Sequence, residues 1–157
     1  MRFLFYDRIT EIEKGRRIVG VKAFALSEEF LRGHFSRRAV VPGVVLVEAM
    51  AQVLGWGVIH AHDFKLTAIL SLVDGVRLHE PRLQPGFTAR IEGEILSTGK
   101  RDSLGRAWVE ADGRRLATLE RIIFAHFPVP DPEPLRRLFR YYAGSDDLCG
   151  PARGGHA

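Results

Sequence analysis

The chain has 157 residues and a mass of 17.6 kDa, the size of one globular domain with a core of its own. Hydrophobic residues make up 46% of the sequence and charged residues 27%, ordinary proportions that exclude a wholly disordered chain. The single cysteine, Cys149, excludes an intramolecular disulfide framework and a cysteine-rich zinc site, and a formal net charge of +4 suits an acidic partner without identifying one.

The first quarter of the chain predicts two strands and an irregular loop. Strand-like segments at residues 3–12 and 17–25 are separated by a short polar stretch, which suits a β-hairpin. Residues 27–31 predict a helical turn, because Ser27 is a good cap and two acidic residues follow it. Residues 32–41 show no hydrophobic period, and we expect an irregular loop there.

A long helix is predicted from about residue 42 to residue 60, with Pro42 at its first position, where the missing N–H is not needed. Its apolar residues cover every face, which is typical of a helix that is buried all round. The run approaches the ~20 residues that span a bilayer. It contains Glu48 and Gln52, however, and an acidic residue at a bilayer centre costs about 2.5–3.5 kcal/mol. We therefore predict a core helix and no membrane span.

The rest of the domain predicts antiparallel strands. Residues 66–78 are strand-like, and residues 87–95 alternate between apolar and polar side chains, as a half-buried strand does. The segments 105–111 and 115–127 flank an Asp-Gly pair, the strongest short signal for a hairpin. The fold class that follows is α+β, with a curved antiparallel sheet of about six strands wrapped around one long buried helix. Such a sheet leaves an edge that seeks a partner subunit.

Two regions are expected. Residues 1–127 form the domain, and residues 128–157 form a proline-rich C-terminal extension whose prolines end the last strand. Within the extension, residues 134–142 predict a short helix with one apolar side. The Gly-rich residues 144–157 predict a frayed tail.

Three polar features interrupt the apolar surroundings of the long helix. Glu48 lies mid-helix with Gln52 four residues on, hence on the same face. Burial should favour the protonated form of Glu48, a general acid, and His34 in the preceding loop can accept a proton near neutrality. The Gly43 N–H has no intrahelical partner and lies at the positive end of the helix dipole. A base, an acid and an oxyanion donor together suit removal of a proton α to a carbonyl and expulsion of a β-leaving group.

Each feature alone also has a plainer explanation. A loop histidine is often a surface residue, a buried glutamate is often paired with an arginine, and Pro-Gly is a common start of a helix. The remaining five histidines show no repeated ligand spacing, so no metal site is predicted.

The combined motif is more specific. Gly-His-Phe at 33–35, Pro-Gly-Val at 42–44 and Glu-Ala-Met-Ala-Gln at 48–52 resemble, at matching spacing, the signature of the FabZ-type 3-hydroxyacyl-[acyl-carrier-protein] dehydratases. A weaker similarity extends over residues 5–127. The resemblance implies the hotdog fold and a dimer, often a trimer of dimers, in which His34 of one subunit faces Glu48 of the other.

The resemblance also implies roles. His34 would be the base at the α carbon, Glu48 would donate a proton to the departing β-hydroxyl, and the Gly43 N–H would hold the thioester carbonyl. Gln52 would lie next to Glu48 and support it without contacting the substrate. No cofactor is expected, because the substrate arrives on the phosphopantetheine arm of an acyl carrier protein.

Further residues are assigned to the substrate and its carrier. Phe35 and Val44 are predicted to line the substrate tunnel. Arg37, Arg38 and Arg82 are predicted to bind the acidic carrier protein, since cationic clusters steer anionic partners, although a merely solvated face stays possible. A nucleic-acid partner is not expected, because no binding motif accompanies the charge.

The predicted function is dehydration of carrier-bound 3-hydroxyacyl thioesters to trans-2-enoyl thioesters in fatty-acid or related lipid or polyketide biosynthesis. Two alternatives stay open: a hotdog acyl thioesterase, in which a carboxylate activates water, and a catalytically silent hotdog protein that binds acyl carriers. A cytoplasmic location is expected, because the continuous apolar run at residues 3–6 is shorter than the about 7–15 residues of a secretory h-region.

Overall fold

The computed structural model describes residues 3–33, 37–144 and 148. Within them the strands are β1 (Arg8–Glu13), β2 (Arg17–Phe24), β3 (Leu66–Leu78), β4 (Phe87–Thr98), β5 (Asp102–Ala111) and β6 (Arg114–Pro128). The helices are α1 (Gly43–Ala61) and α2 (Glu133–Ala143), and a 3-10 turn (Glu29–Leu31) follows β2.

The strands form one antiparallel sheet in the order β1-β2-β4-β5-β6-β3, with β1 and β3 at its edges. Register shifts occur in β1, β3, β4 and β5. Because an extra residue in one strand bends that strand and increases its twist, these shifts help the sheet to curve. The curved sheet encloses α1, which contacts β2 to β6. The predicted α+β fold with a hotdog arrangement is confirmed.

Glycines let the sheet approach α1 closely. A Cβ built at Gly93 would lie 2.9 Å from Leu54 Cδ1, and one at Gly105 would lie 2.6 Å from Leu54 Cδ2. On β2, a Cβ at Gly20 would lie 2.9 Å from Val53 Cγ2. Since real Cβ atoms do not come so near, side chains at these positions would push the sheet away from the helix.

The long helix is the core of the protein. α1 is long and apolar enough to cross a membrane, but 67% of its most apolar window is buried inside the protein. Ala49, Met50, Val53 and Leu54 are completely buried. The predicted start is confirmed to within a residue, because Pro42 directly precedes the first helical residue.

Local signals located the tight turns well and the N-terminal strand poorly. Asp112 and Gly113 join β5 to β6 with φ of 50° and 72°, and positive φ at both loop residues is the preferred geometry of a two-residue hairpin. The strand predicted at residues 3–12 begins only at Arg8, because the preceding segment runs across α1. The turn predicted at residues 27–31 is the 3-10 turn. Ser27 does not cap it.

The predicted helix of the C-terminal extension is α2. Phe139 and Ala143 on its apolar side are buried, and Gly144 ends the helix in the left-handed conformation with φ of 67°. The Phe139 ring lies 5.6 Å from the Trp56 ring and 5.4 Å from the Phe64 ring, so α2 packs against the C-terminal end of α1. The division into residues 1–127 and 128–157 stays a prediction, and nearly all of the predicted tail lies outside the described residues.

Candidate active site

Glu48 and Gln52 form a hydrogen-bonded pair on one face of α1. Gln52 Nε2 donates to Glu48 Oε1 at 2.8 Å, which the i, i+4 spacing makes possible. The same amide reaches the N-terminal segment: Nε2 also donates to the Phe3 carbonyl at 3.3 Å, and Oε1 accepts from the Phe5 N–H at 2.9 Å. Gln52 therefore orients the Glu48 carboxyl and ties it to the chain that crosses α1.

The Glu48 carboxyl lies at the polar end of a groove of about 300 Å³. One wall is a stripe of α1 at the spacing i, i+3, i+4, i+7, i+8 and i+11, comprising Glu48, Ala51, Gln52, Gly55, Trp56 and Ile59. The other walls are Leu4 and Tyr6 of the N-terminal segment, Ala68, Ile69 and Leu70 of β3, and Phe124 of β6. Apart from Glu48, Gln52 and the Tyr6 hydroxyl, these side chains are apolar, so the groove suits a hydrocarbon chain with a polar head.

Tyr6 and Trp56 are groove residues that the sequence analysis missed. Trp56 Nε1 donates a hydrogen bond of 2.6 Å to the Tyr6 hydroxyl. Burial raises the pKa of Tyr6, so the hydroxyl stays un-ionised and available as an acceptor. The positions of Gly55, Trp56 and Ile59, which follow Glu48 at helical spacing, could have indicated that they lie on the same face of α1. Tyr6 gave none, because its position depends on the path of the N-terminal segment.

Gly43 is the first residue of α1, as predicted, and its N–H lacks an intrahelical acceptor. A Cβ built at this position would overlap Leu78 Cδ1 at the end of β3. The missing side chain therefore makes room for Leu78. The predicted role of Gly43, holding the thioester carbonyl, concerns its N–H and does not depend on this contact.

The structure brings only part of the predicted site together. Glu48 and Gln52 are in contact, and Gly43 lies about 7 Å earlier along the same helix. His34 and Phe35 lie outside the described residues, so their assignments stay predictions. Val44 is 71% exposed on the first turn of α1 and does not line the groove.

The predicted carrier-binding arginines are all exposed. With the Gln84 amide oriented to present its oxygen, Arg38 Nε donates to it at 3.0 Å. Arg82 lines a second pocket of about 350 Å³, which it shares with Arg114. The Val41 N–H donates to the Leu83 carbonyl at 2.8 Å, so the loop that carries Arg82 is attached two residues before the start of α1.

A second polar cluster lies away from the groove. The Ser103 hydroxyl bridges His126 Nε2 at 2.8 Å and the Thr98 hydroxyl at 2.6 Å, and Thr98 reaches His62 Nε2 at 2.7 Å. Burial, followed by the neighbouring His126, lowers the pKa of His62. Among the described residues no group of three or more His, Cys, Asp or Glu side chains is placed to hold a metal ion.

Comparison with family models and curated proteins gives a consistent result. A model described as a FabA-like domain matches residues 1–81. The 3-hydroxyacyl-[acyl-carrier-protein] dehydratase FabZ of Thermomicrobium roseum is 39% identical over 135 residues, which cover 85% of this chain and 87% of that protein. The FabZ of Desulforamulus reducens is 38% identical over 128 residues, covering 78% and 86%.

Solved structures share the fold. The dehydratase heterocomplex ApeI:P from Xenorhabdus doucetiae superposes with a TM-score of 0.63 at 14% identity, covering 87% of this chain and 90% of that chain. A putative thioesterase, YhdA from Lactococcus lactis, gives 0.61 at 12% identity, covering 78% and 95%. At such identities the likeness concerns the fold alone, and it does not separate a dehydratase from a thioesterase.

Proposed function

The chain belongs to the FabA-like dehydratase family, and from this membership we propose that it is a hydro-lyase that converts 3-hydroxyacyl thioesters on acyl carrier protein to trans-2-enoyl thioesters in fatty-acid biosynthesis. The observation that supports this activity best is the Glu48 carboxyl at the polar end of an apolar groove, held by Gln52. This arrangement matches a substrate with a polar reacting end and a hydrocarbon tail.

The reaction needs one base and one acid. His34 takes the proton from the α carbon, the double bond forms between the α and β carbons, and the β carbon–oxygen bond breaks. Glu48 protonates the departing hydroxyl, which leaves as water. Transfer of the proton from the imidazolium to the carboxylate through solvent then restores both groups.

Negative charge develops on the thioester oxygen as the α proton leaves. The Gly43 N–H is suited to receive it, because the group stands at the N-terminus of a helix of 19 residues and points a fixed dipole along the axis. No cofactor is needed for this sequence of proton transfers. The phosphopantetheine arm is part of the substrate, because it carries the acyl chain.

We propose a homodimer, and the exposed edge of the sheet supports it. β3 is a 13-residue edge strand, and its large apolar side chains Ile69, Leu70, Leu72, Val76 and Leu78 are between 39% and 52% exposed. A long apolar edge with unpaired backbone groups is a template for pairing with another strand. Two copies joined along β3 would also cover the groove, of which Ile69 and Leu70 are walls, and could bring His34 of one copy toward Glu48 of the other. Higher assembly, such as a trimer of dimers, is left to direct measurement of the mass.

The acidic carrier protein would dock where Arg37, Arg38 and Arg82 are exposed. The Arg82→Glu variant should raise KM for a carrier-bound substrate and leave the KM for a pantetheine thioester unchanged, because only the former uses the protein surface. Lys100→Glu is the matched control, since Lys100 lies in the turn before β5, at the other end of that strand from the Asp112-Gly113 turn that borders the Arg82 pocket. Equal effects of both variants would contradict this docking surface.

Mass spectrometry of carrier-bound 3-hydroxyacyl chains tests the activity. Loss of one water by the wild-type protein supports dehydration, whereas release of free acid indicates a thioesterase and an unchanged substrate indicates a silent carrier-binding protein. His34→Ala and Glu48→Gln should each lower kcat/KM by about 10²- to 10⁴-fold with an unchanged circular dichroism spectrum. Wild-type rates in either variant would refute the assigned roles. Cell fractionation checks the expected cytoplasmic location.

A further inference from the structure

The side chains that α1 contributes to the groove change in size along the helix. At its polar end stand Glu48 and Gln52, the middle carries the small residues Ala51 and Gly55, and the far end carries Trp56 and, in the last turns, Ile59. With a rise of about 1.5 Å per residue, Gly55 lies about 10 Å and Ile59 about 16 Å from Glu48 along the helix. Small residues thus leave space for a chain in the middle, and large ones take that space at the end.

Gly55 has no packing reason to be a glycine. A Cβ at Gly57, two residues on, would lie 3.0 Å from the buried Ile18 Cγ2, so Gly57 serves the contact between helix and sheet. A Cβ at Gly55 would meet only Phe124 Cε1 at 3.5 Å and Cζ at 4.0 Å, both at ordinary contact distances. Alanine would fit there, and glycine inside a helix costs about 1 kcal/mol relative to alanine. What the glycine provides is room in the groove, which it lines together with Phe124.

The far end of the groove is supported by α2. Trp56 is held by its hydrogen bond to Tyr6, and the two rings are in turn backed by Tyr142, whose ring centroid lies 4.9 Å from that of Tyr6 and 6.4 Å from that of Trp56. Phe139, which also belongs to α2, is completely buried, and its ring centroid lies 5.6 Å from that of Trp56. Neither α2 residue lines the groove itself. Both are positioning residues for the side chains that do.

We propose that Gly55 keeps the groove open toward its far end, that Trp56 and Ile59 there determine the longest acyl chain that this enzyme accepts, and that α2 maintains the limit by holding Trp56 and Tyr6 in the wall of the groove. The inference rests on the proposed dehydratase function. An extended hydrocarbon advances about 1.3 Å per carbon, given carbon–carbon bonds of about 1.5 Å. The about 16 Å from Glu48 to Ile59 therefore hold about twelve carbons beyond the reacting end.

The first test is the chain-length profile of Gly55→Leu. Its side chain would close the groove about 6 Å earlier, so the longest efficient substrate should shorten by about five carbons. The measurement is kcat/KM for 3-hydroxyacyl carrier proteins of increasing chain length. Gly55→Ala, which the available space accommodates, should shift the profile in the same direction by a smaller amount and guards against misfolding of the leucine variant. A uniform loss at every length, or an unchanged profile in both variants, would overturn the proposal.

The second test concerns α2. Tyr142→Ala removes the ring behind Tyr6 and Trp56 and should extend the profile toward longer chains. Tyr141→Ala is the matched control, because the neighbouring Tyr141 is 74% exposed, and it should leave the profile unchanged. A purely structural role of α2 would lower the melting temperature of Tyr142→Ala without moving the profile, and that result would overturn the part assigned to α2.

The wild-type profile separates this inference from the function on which it rests. If the wild-type protein dehydrates no 3-hydroxyacyl chain of any length, the proposed function fails and the inference fails with it. If the wild-type protein shows dehydration with a cut-off in length, and the cut-off stays in place in the Gly55 and Tyr142 variants, only the inference fails.

Discussion

Within the first ten residues of α1, Glu48 and Gln52 are half-buried and joined by a hydrogen bond, and they face a groove that is open between helix and edge strand. At the C-terminal end, Trp56 and His60 are buried in a cluster of aromatic rings contributed largely by α2. One helix thus presents a reactive end and an anchored end. The difference comes from the neighbours of each end, because the helix itself is apolar on all its faces.

The sharpest way to test this contrast is Glu48→Gln at the reactive end. Loss of the proton donor should lower kcat/KM by about 10²- to 10⁴-fold, the usual range for a general acid. The change keeps the shape of the side chain, so urea unfolding should give a free energy of unfolding within about 0.5 kcal/mol of wild type. A large loss of stability would mean that Glu48 belongs to the framework and that the two ends do not differ as described.

Trp56→Ala at the anchored end should reverse the pattern. Removal of a buried aromatic ring costs about 3–5 kcal/mol of stability, and the Tyr6 hydroxyl loses its donor as well. Turnover of short substrates per folded molecule should fall far less than in Glu48→Gln. Urea denaturation together with active-site titration checks this, and a fully active, fully stable variant would contradict the anchoring role.

The two glycines of the last turns allow a smaller test. Gly55→Ala should unfold at a higher temperature than wild type, because alanine gains up to about 1 kcal/mol of helix propensity and its methyl group meets no close neighbour. Gly57→Ala should unfold at a lower temperature than Gly55→Ala, because its methyl group presses on the buried Ile18. Differential scanning calorimetry measures both unfolding temperatures. A higher unfolding temperature for Gly57→Ala than for Gly55→Ala would contradict the packing described for α1.

The smallest expected effect is the pH dependence at the anchored end. Burial lowers the pKa of His60 below its ordinary value of 6.5, although the Leu148 carbonyl at 3.1 Å from Nε2 opposes the shift. The unfolded chain therefore binds more protons here than the folded one, so this stability is present above about pH 6.5 and decreases as the pH falls below it. In His60→Phe, the free energy of unfolding should fall less steeply between pH 7 and 5, as urea titrations at several pH values would show. An equal slope would exclude a contribution from His60.

Much of the fold could be predicted because its signals are local. The apolar run after Pro42 indicates a buried helix whatever surrounds it, and Asp112-Gly113 carries its own turn geometry. The strand predicted from residue 3 was wrong over its first part, since an apolar segment that crosses a helix has the same composition as one that joins a sheet.

The site, too, could be predicted only where its contacts are local in the sequence. The spacing of Glu48 and Gln52 predicts their contact, because it lies within one helix. The hydrogen bond from Trp56 to Tyr6 spans fifty residues of sequence, and no periodicity reports it. The contact between Leu78 and Gly43 could not be predicted from the sequence either, because it depends on where an edge strand ends in space. Sequence reasoning therefore located the reactive end of α1 and missed the rest of the groove.

The contact between Gly43 and Leu78 constrains how this protein can vary among its relatives. Leu78 fills the volume that any side chain at position 43 would need. A larger residue at one of the two positions therefore requires a smaller residue at the other. A lineage that acquires alanine at 43 should carry a smaller residue than leucine at 78. Correlated substitution of the pair should therefore appear in an alignment, even though thirty-five residues separate the two positions.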